Sequence, residues 1–245
     1  MVLMTKQIHL ECCWTDQPIH SLKHDFMMLA NTVFGSFVTD NYYKAKFVDN
    51  IYGPSLITVA YVDGVAAGAD AMWRNDLDST KAYQTVDTCV LEQFRGMGLF
   101  KRMTYQELEL LGKETLVYGY PNVNSYPGYV KMGWQVDHLY KTLFFNTKKE
   151  TIDSGYAAWW LKAQNGISYI NKKGDYYLVR KHESKPVATL IGRVDEATAR
   201  LFPKTEGWSL LRSFEAKSSI YNKNKSIPLV CNQKWKIPYW KIDAI

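Results

Sequence analysis

The chain has no long apolar run. A membrane-spanning helix needs roughly 18 such residues or more, and the clearest stretch, Leu56 to Val62, stops at seven. Its start, Met1-Val2-Leu3-Met4-Thr5-Lys6, lacks the basic stretch, apolar core and small-residue cleavage site of a secretory signal, so neither export nor a membrane partner is expected. Cysteine is scarce: four residues, two of them adjacent (Cys12, Cys13), form no disulfide framework. No C-x-x-C pair or His/Cys cluster has zinc-ligand spacing, so no metal is expected and a reducing cytoplasm suits the chain. The five histidines are dispersed and suggest neither a catalytic triad nor a metal cage. There is no helix-turn-helix, zinc-finger or RNP pattern, and nucleic acid is not an expected partner.

What remains is ample for a globular protein. In 245 residues, 47% are hydrophobic and 14% aromatic, enough for a substantial core in one large domain or two small ones. The charge is uneven: eight Lys/Arg against three Asp/Glu between Lys204 and Ile245 give that segment +5 of the chain's net +6. Such a stretch is a solvated basic surface or an attractor for phosphorylated ligands.

The first 50 residues read as mostly helical, with apolar-rich Asp25–Ala30 and aromatics at helical spacing over Asn41–Val48. Ser55–Val62 is a β-branched strand, Asp63-Gly64 a two-residue hairpin turn, and Val65–Trp73 the returning strand. Tyr83–Val90 is a further strand. A glycine-bearing turn then opens a helix over Leu99–Leu111, capped by Gly112 and followed by a strand at Leu116–Tyr120 and a short helix at Ser125–Lys131. Later strands are placed at Ile167–Ile170, Tyr176–Arg180 and Val187–Val194, a helix at Glu196–Phe202, and tail strands at Ile220-Tyr221, Leu229-Val230 and Trp235–Ile237, with Pro228 and Pro238 as breakers. Ser55–Ala71 and Asp175–Ile191 echo one another as strand, turn, strand after an aromatic-rich segment.

Chemistry concentrates in Val86 to Phe100, where a strand enters Arg95-Gly96-Met97-Gly98 and a helix begins. Glycines let backbone N–H groups face outward, and a helix's first turn adds unpaired donors and a positive dipole end. Together these cradle a pyrophosphate. The stretch is neither a Walker loop nor a Rossmann fingerprint. A helix and a strand later comes Asn122-Val123-Asn124-Ser125-Tyr126-Pro127-Gly128-Tyr129-Val130-Lys131-Met132-Gly133-Trp134.

In that order the two segments resemble the GCN5-related N-acetyltransferase (GNAT) superfamily over roughly residues 25 to 145. Its first motif is Arg/Gln-x-x-Gly-x-Gly/Ala; Arg95 to Phe100 fits except that Phe100 replaces a small residue, and Gln93 to Gly98 fits the bare pattern two residues earlier. Its second, Asn-x-x-Ala-x-x-x-Tyr-x-Lys-x-Gly-Phe, is met by Asn122, Ser125, Tyr129, Lys131, Gly133 and Trp134. The resemblance implies an α/β (α+β) GNAT fold with a mixed, mostly antiparallel sheet flanked by helices. Residues 1–148 would be the acyl-CoA-binding catalytic domain. Residues 149–245 would be a C-terminal GNAT-like or α+β portion completing the acceptor site, with either a degenerate second copy or generic hairpins explaining the echo.

It implies direct transfer of an acyl group from acyl-CoA, acetyl-CoA or a short hydroxyacyl-CoA, to an amine. Arg95, Gly96, Met97, Gly98, Leu99 and Phe100 would bind the coenzyme A pyrophosphate. Cys89 and Val90 would hold pantetheine and polarise the thioester carbonyl, and Asn122 would contact pantetheine. Tyr129 is the candidate general acid; Glu92 and Asp87 are the candidate general bases, with Asp70 a third. The Tyr118–Tyr129 stretch further resembles bacterial sugar N-acyltransferases of surface-polysaccharide pathways. A nucleotide-linked amino sugar is therefore the expected acceptor, with a peptide or small-molecule amine, or a non-catalytic acyl-CoA-binding module, as alternatives. An oligomer is open.

Overall fold

The computed structural model describes residues 6–17, 19–35, 38–77, 80–144, 151–181, 187–205, 210–217 and 226–233. The chain forms two compact units, one of Met1–Gln135 with Val230–Lys234 and the other of Val136–Leu229 with Trp235–Ile245. The continuous part of the first unit ends at Gln135. Val230–Lys234 joins the first unit because its strand returns to pair there.

In the first unit, β1 (Ile8–Trp14), β2 (Leu56–Val62), β3 (Val65–Arg74) and β4 (Ala82–Val90) are antiparallel neighbours in that order. Beside them β5 (Leu116–Gly119) runs parallel to β4, and the end of β11 (Ser226–Cys231) runs antiparallel to β5. Helix α1 (His20–Phe34) buries Leu22, Phe26, Leu29 and Ala30, an i, i+4, i+7, i+8 stripe. It closes on Gly35, whose φ of 90° suits the left-handed cap. The Phe26 ring meets Phe47 and Tyr43 edge-on at 5.8 and 6.3 Å. Helix α2 (Asp40–Tyr43) continues into a π-helical turn over Lys44–Val48. Helix α3 (Leu99–Leu111) packs on β2, β3 and β4, and α4 (Tyr126–Lys131) follows β5. No helix among the described residues is long and apolar enough to cross a membrane.

The second unit contains β6 (Gln135–Phe144), α5 (Ser154–Tyr156), a π-helical turn at Ala157–Leu161, β7 (Ile167–Lys172), β8 (Asp175–Lys181), β9 (Val187–Val194), α6 (Glu196–Ala199) and β10 (Leu210–Lys217). Its strands lie in the order β6-β10-β9-β8-β7, antiparallel except for β9 beside β10. The device sequence of the first unit recurs. Thr39 Oγ1 and Asp153 Oδ1 each accept from the N–H three residues on, at 3.1 and 2.7 Å. A π-helical turn follows, then a hairpin whose two turn residues both have positive φ: 50° and 79° at Asp63-Gly64, 55° and 91° at Lys173-Gly174. Both β3–β4 and β8–β9 carry a register shift, and both third strands lead to a parallel partner.

Several expectations are corrected. The first 50 residues include a strand, β1, whose Ile8 and Leu10 alternate with His9 and Glu11 while its backbone pairs with all of β2. The helix expected at Glu196–Phe202 stops at Ala199. Pro228 does not break a strand; it lies inside β11. Strands β6 and β10 were not expected. The proposed Ile220-Tyr221 and Trp235–Ile237 strands, and Pro238, lie outside the described residues.

The last rung between β4 and β5 pairs Thr85 with Gly119. A Cβ on Gly119 would lie 2.3 Å from Thr85 Oγ1. Gly119→Ala is therefore expected to cost about 1–3 kcal/mol through overpacking. Much of that loss should return in the Gly119→Ala/Thr85→Ala double variant, read as urea midpoints at constant slope.

Candidate active site

Beyond Thr85–Gly119, β4 continues to Val90 while β5 ends, so the two parallel strands part. Tyr129 marks the fork. It is 2% exposed, and its hydroxyl donates to Thr85 Oγ1 at 2.9 Å. Burial and the nearby Asp70 carboxyl push its phenol above the usual range, which keeps the proton on oxygen. Its ring contacts Trp134 at 4.7 Å and Phe100 edge-on at 4.9 Å. Phe100 takes the place of a small residue because the space comes from Gly128, where a Cβ would lie 2.5 Å from the Phe100 ring.

The glycine loop leaves β4 through a 3₁₀ turn at Glu92–Phe94. Gly96 and Gly98 have φ of 81° and 74°, a conformation costly for other residues. A Cβ on either would enter open space, so the loop's outer side has room for a ligand. Helix α3 begins at Leu99, directly after Gly98, and its first external amide bond is Arg102 N–H to Gly98 O at 3.1 Å. Among the described residues no acceptor meets the N–H groups of Gly96 to Lys101, which is the donor set an anionic diphosphate needs. Arg95 is exposed beside them. Asn122 Oδ1 accepts from the N–H groups of Asn124 and Ser125 at 2.9 and 3.1 Å, bracing the turn into α4. That turn does not use its Nδ2.

The structure separates the candidate bases. Glu92 is exposed on the 3₁₀ turn. Asp87 has φ of 54°, and its carboxylate accepts from Lys46 Nζ at 3.2 Å and from the Tyr42 hydroxyl at 3.3 Å. Lys46 is fully buried, with the Tyr42, Trp73 and Phe47 rings 5.0, 5.3 and 5.7 Å from its ammonium. An anion already paired with a buried cation is a poor proton acceptor. Asp70 is fully buried, accepts from Thr88 Oγ1 at 2.6 Å and from the Ala71 N–H at 2.9 Å, and has Glu107 of α3 as a neighbour. Glu107, equally buried, was not anticipated. Its signal was present: it sits three and four residues beyond Thr104 and Met103, on the buried stripe of α3. Burial pushes the Cys89 thiol up to about 12, so it is not a nucleophile near neutral pH.

A mixed sheet that forks beside a glycine-opened helix is the fold of the GCN5-related N-acetyltransferases. Solved structures of low identity align with most of the chain. The chain aligns with a GCN5-related N-acetyltransferase from Kribbella flavida at 10% identity and a TM-score of 0.54, covering 93% of this chain and 71% of that one. Eis1 from Mycobacterium abscessus aligns at 10% identity and a TM-score of 0.55, over 91% and 73%. A conserved protein of unknown function from Enterococcus faecalis V583 aligns at 11% identity and a TM-score of 0.57, over 92% and 72%. No protein-family model and no curated protein matches the chain.

Burial pushes Asp70 up to about 7 from 3.8, so between these values the folded chain holds a proton that the unfolded chain has lost. That contribution lowers stability as pH rises through the window. Asp70→Asn should make the fall in urea midpoint between about pH 4 and about pH 7 shallower.

Proposed function

We propose that this protein is an acyl-CoA-dependent N-acyltransferase (EC 2.3.1 type) that transfers an acyl group directly from acyl-CoA to an amine. The observation that carries the reading is the fork after Thr85–Gly119 with the open N–H groups of Gly96 to Lys101 at its mouth. In this reading Arg95 and the amides of Gly96, Met97, Gly98, Leu99 and Phe100 bind the diphosphate. Asn122 Nδ2 orients the pantetheine arm. Backbone groups at Cys89 and Val90, freed from pairing with β5, hold the acyl carbonyl and stabilise charge developing on its oxygen. Tyr129 donates its proton to the sulfur as negative charge develops there. Coenzyme A supplies the thioester and the leaving thiol.

The proposed acceptor is a nucleotide-linked amino sugar, such as a dTDP-amino-deoxysugar of polysaccharide biosynthesis. Its support is the sequence: the resemblance over Tyr118–Tyr129, and the +5 charge from Lys204 to Ile245, which suits a diphosphate. The second unit is proposed as a degenerate copy of the first, on the recurrence of cap, π-helical turn, positive-φ hairpin and parallel third strand. Its crossover from β9 to β10 has no Arg-Gly-x-Gly segment. One coenzyme A per chain is therefore expected by titration calorimetry; two would overturn the loss of the cradle in that copy.

Thiol release tests the function, scored for dTDP- and UDP-linked amino sugars, peptide amines and small amines against acetyl-CoA and hydroxybutyryl-CoA. Turnover with an amino sugar supports both parts of the reading. Turnover only with another amine removes the sugar, and coenzyme binding without any turnover leaves a binding module. Tyr129→Phe should lower kcat by ~10²–10⁴-fold with coenzyme affinity nearly unchanged, since only a hydroxyl is lost.

A further inference from the structure

A row of polar side chains crosses the first unit where α3 packs on the sheet. Strand register sets Cys12 opposite Thr58 and Thr58 opposite Asp70. The register shift between Ala69 and Ala71 puts Asp70 beside β4, where the Thr88 hydroxyl reaches Asp70 Oδ1. Glu107 enters from α3. Both carboxyls are fully buried, and among the described residues no hydrogen bond of normal geometry reaches Asp70 Oδ2 or either oxygen of Glu107. The Thr58 hydroxyl and the Asp70–Glu107 contact act on Glu107, but buried carboxyl oxygens without well-formed donors are costly as anions, and two adjacent carboxylates are costlier still. A single proton removes one of the two charges and lets one carboxyl donate to the other, because a protonated carboxyl donates where a carboxylate only accepts.

The groups facing the pair are Cys12 of β1, Thr58 of β2, Asp87, Thr88 and Cys89 of β4, and Tyr129 of α4. Among the described residues none of these is a cation, and the other carboxylate, Asp87, is paired with Lys46. The negative charge of the site is therefore limited by a proton and not by a counter-ion. Asp70, with donors from Thr88 and Ala71, is the partner suited to carry the charge, and Glu107 the one suited to carry the proton. The Tyr129 hydroxyl donates to Thr85 Oγ1 at 2.9 Å, and the Thr88 hydroxyl is near enough to favour its ionised form.

We propose that Asp70 and Glu107 hold one proton between them and that Asp70, acting through the Thr88 hydroxyl, carries a proton from the attacking amine to Tyr129. This rests on the acyltransferase reading above. Thr88 is partly exposed on the half of β4 that has left β5, so it is the member of the row placed at the fork; Cys12, also partly exposed, lies on the outer strand β1. The acceptor amine enters neutral. As its lone pair forms the C–N bond, an N–H bond breaks toward Thr88 Oγ1, and the proton of Thr88 passes to Asp70 Oδ1. The sulfur leaves with the electrons of the C–S bond and takes the Tyr129 proton. Tyr129 then recovers a proton from the filled pair through Thr88. The pair begins and ends the cycle with one proton, and no proton is gained from or lost to water. Asp70 and Glu107 act through Thr88 and are positioning residues.

The test compares Asp70→Asn, Thr88→Val and Glu107→Gln with the wild type and Tyr129→Phe, using whichever amine and acyl-CoA turn over. The three variants are near-isosteric, and circular dichroism with thermal midpoints checks their fold. Thr88→Val and Asp70→Asn should each lower kcat by ~10²-fold or more and remove the ascending limb of its pH profile, with acetyl-CoA affinity unchanged. The Asp70→Asn/Thr88→Val double variant should be no worse than either single one. Glu107→Gln, which still offers Asp70 a donor but has no proton to share, should retain turnover with the limb moved to lower pH. Wild-type kcat and pH profile in Thr88→Val and Asp70→Asn, with Tyr129→Phe impaired, would overturn the relay and leave acyl transfer standing. Loss in Thr88→Val alone would overturn the carboxyl pair's part; should Asp70→Asn not fold, an unshifted limb in Glu107→Gln does the same. No thiol release by the wild type with any amine would overturn acyl transfer and the relay together.

Discussion

The close approach of Thr85 to Gly119 is the constraint on which the first unit depends. A side chain on residue 119 would collide with the Thr85 hydroxyl, so the absence of a Cβ lets β4 and β5 pair one rung further. That hydroxyl is also the acceptor for Tyr129, which anchors α4 on the sheet. Tyr129 in turn presents its ring to Phe100 in the first turn of α3 and to Trp134 beyond α4. One contact between adjacent strands thus fixes where the sheet opens, where the hydroxyl sits within the opening and how the glycine-opened helix is seated beside it.

Charge in this unit is handled in two ways. Under the π-helical turn, Lys46 is buried among aromatic rings with Asp87 as its partner, and Trp73 Nε1 donates to the Lys46 carbonyl at 2.9 Å. There opposite charges are matched, and the left-handed backbone at Asp87 is tolerated because the pair fixes it. Across the row at Asp70 and Glu107 two acids face each other with no cation between them among the described residues. The first arrangement matches a carboxylate with a cation and the second sets two acids side by side, which is why the two carboxyls of neighbouring strands are suited to different work.

Much of the first unit was legible because its signals are local. The β-branched run of β2, the Asp63-Gly64 turn, the glycines before α3 and Gly112 after it each act through backbone conformation that a few residues determine. The strand β1 was not, since an edge strand of mixed polarity is defined by the ladder it makes with β2 more than by its own composition. Pro228 illustrates the converse: a residue that lacks an N–H can still occupy a strand, and local propensity gave the wrong answer there. Within the site, the loop and Tyr129 were visible as motif positions. The pairing of Asp87 with Lys46 and of Asp70 with Glu107 was not, because each joins residues far apart in sequence, and glutamate or lysine on a helix ordinarily reads as solvated.

The fit of Phe100 against Gly128 also constrains how such a sequence can drift. The volume between the start of α3 and α4 is supplied once, as a ring on one side and a missing Cβ on the other. The two positions form a single steric quantity divided between distant segments of the chain. Small at one site permits large at the other, and an exchange of sizes must cross an intermediate that is either overfilled or hollow. A lineage that places a ring next to the mouth of the cradle has therefore committed its second motif to glycine just before the tyrosine.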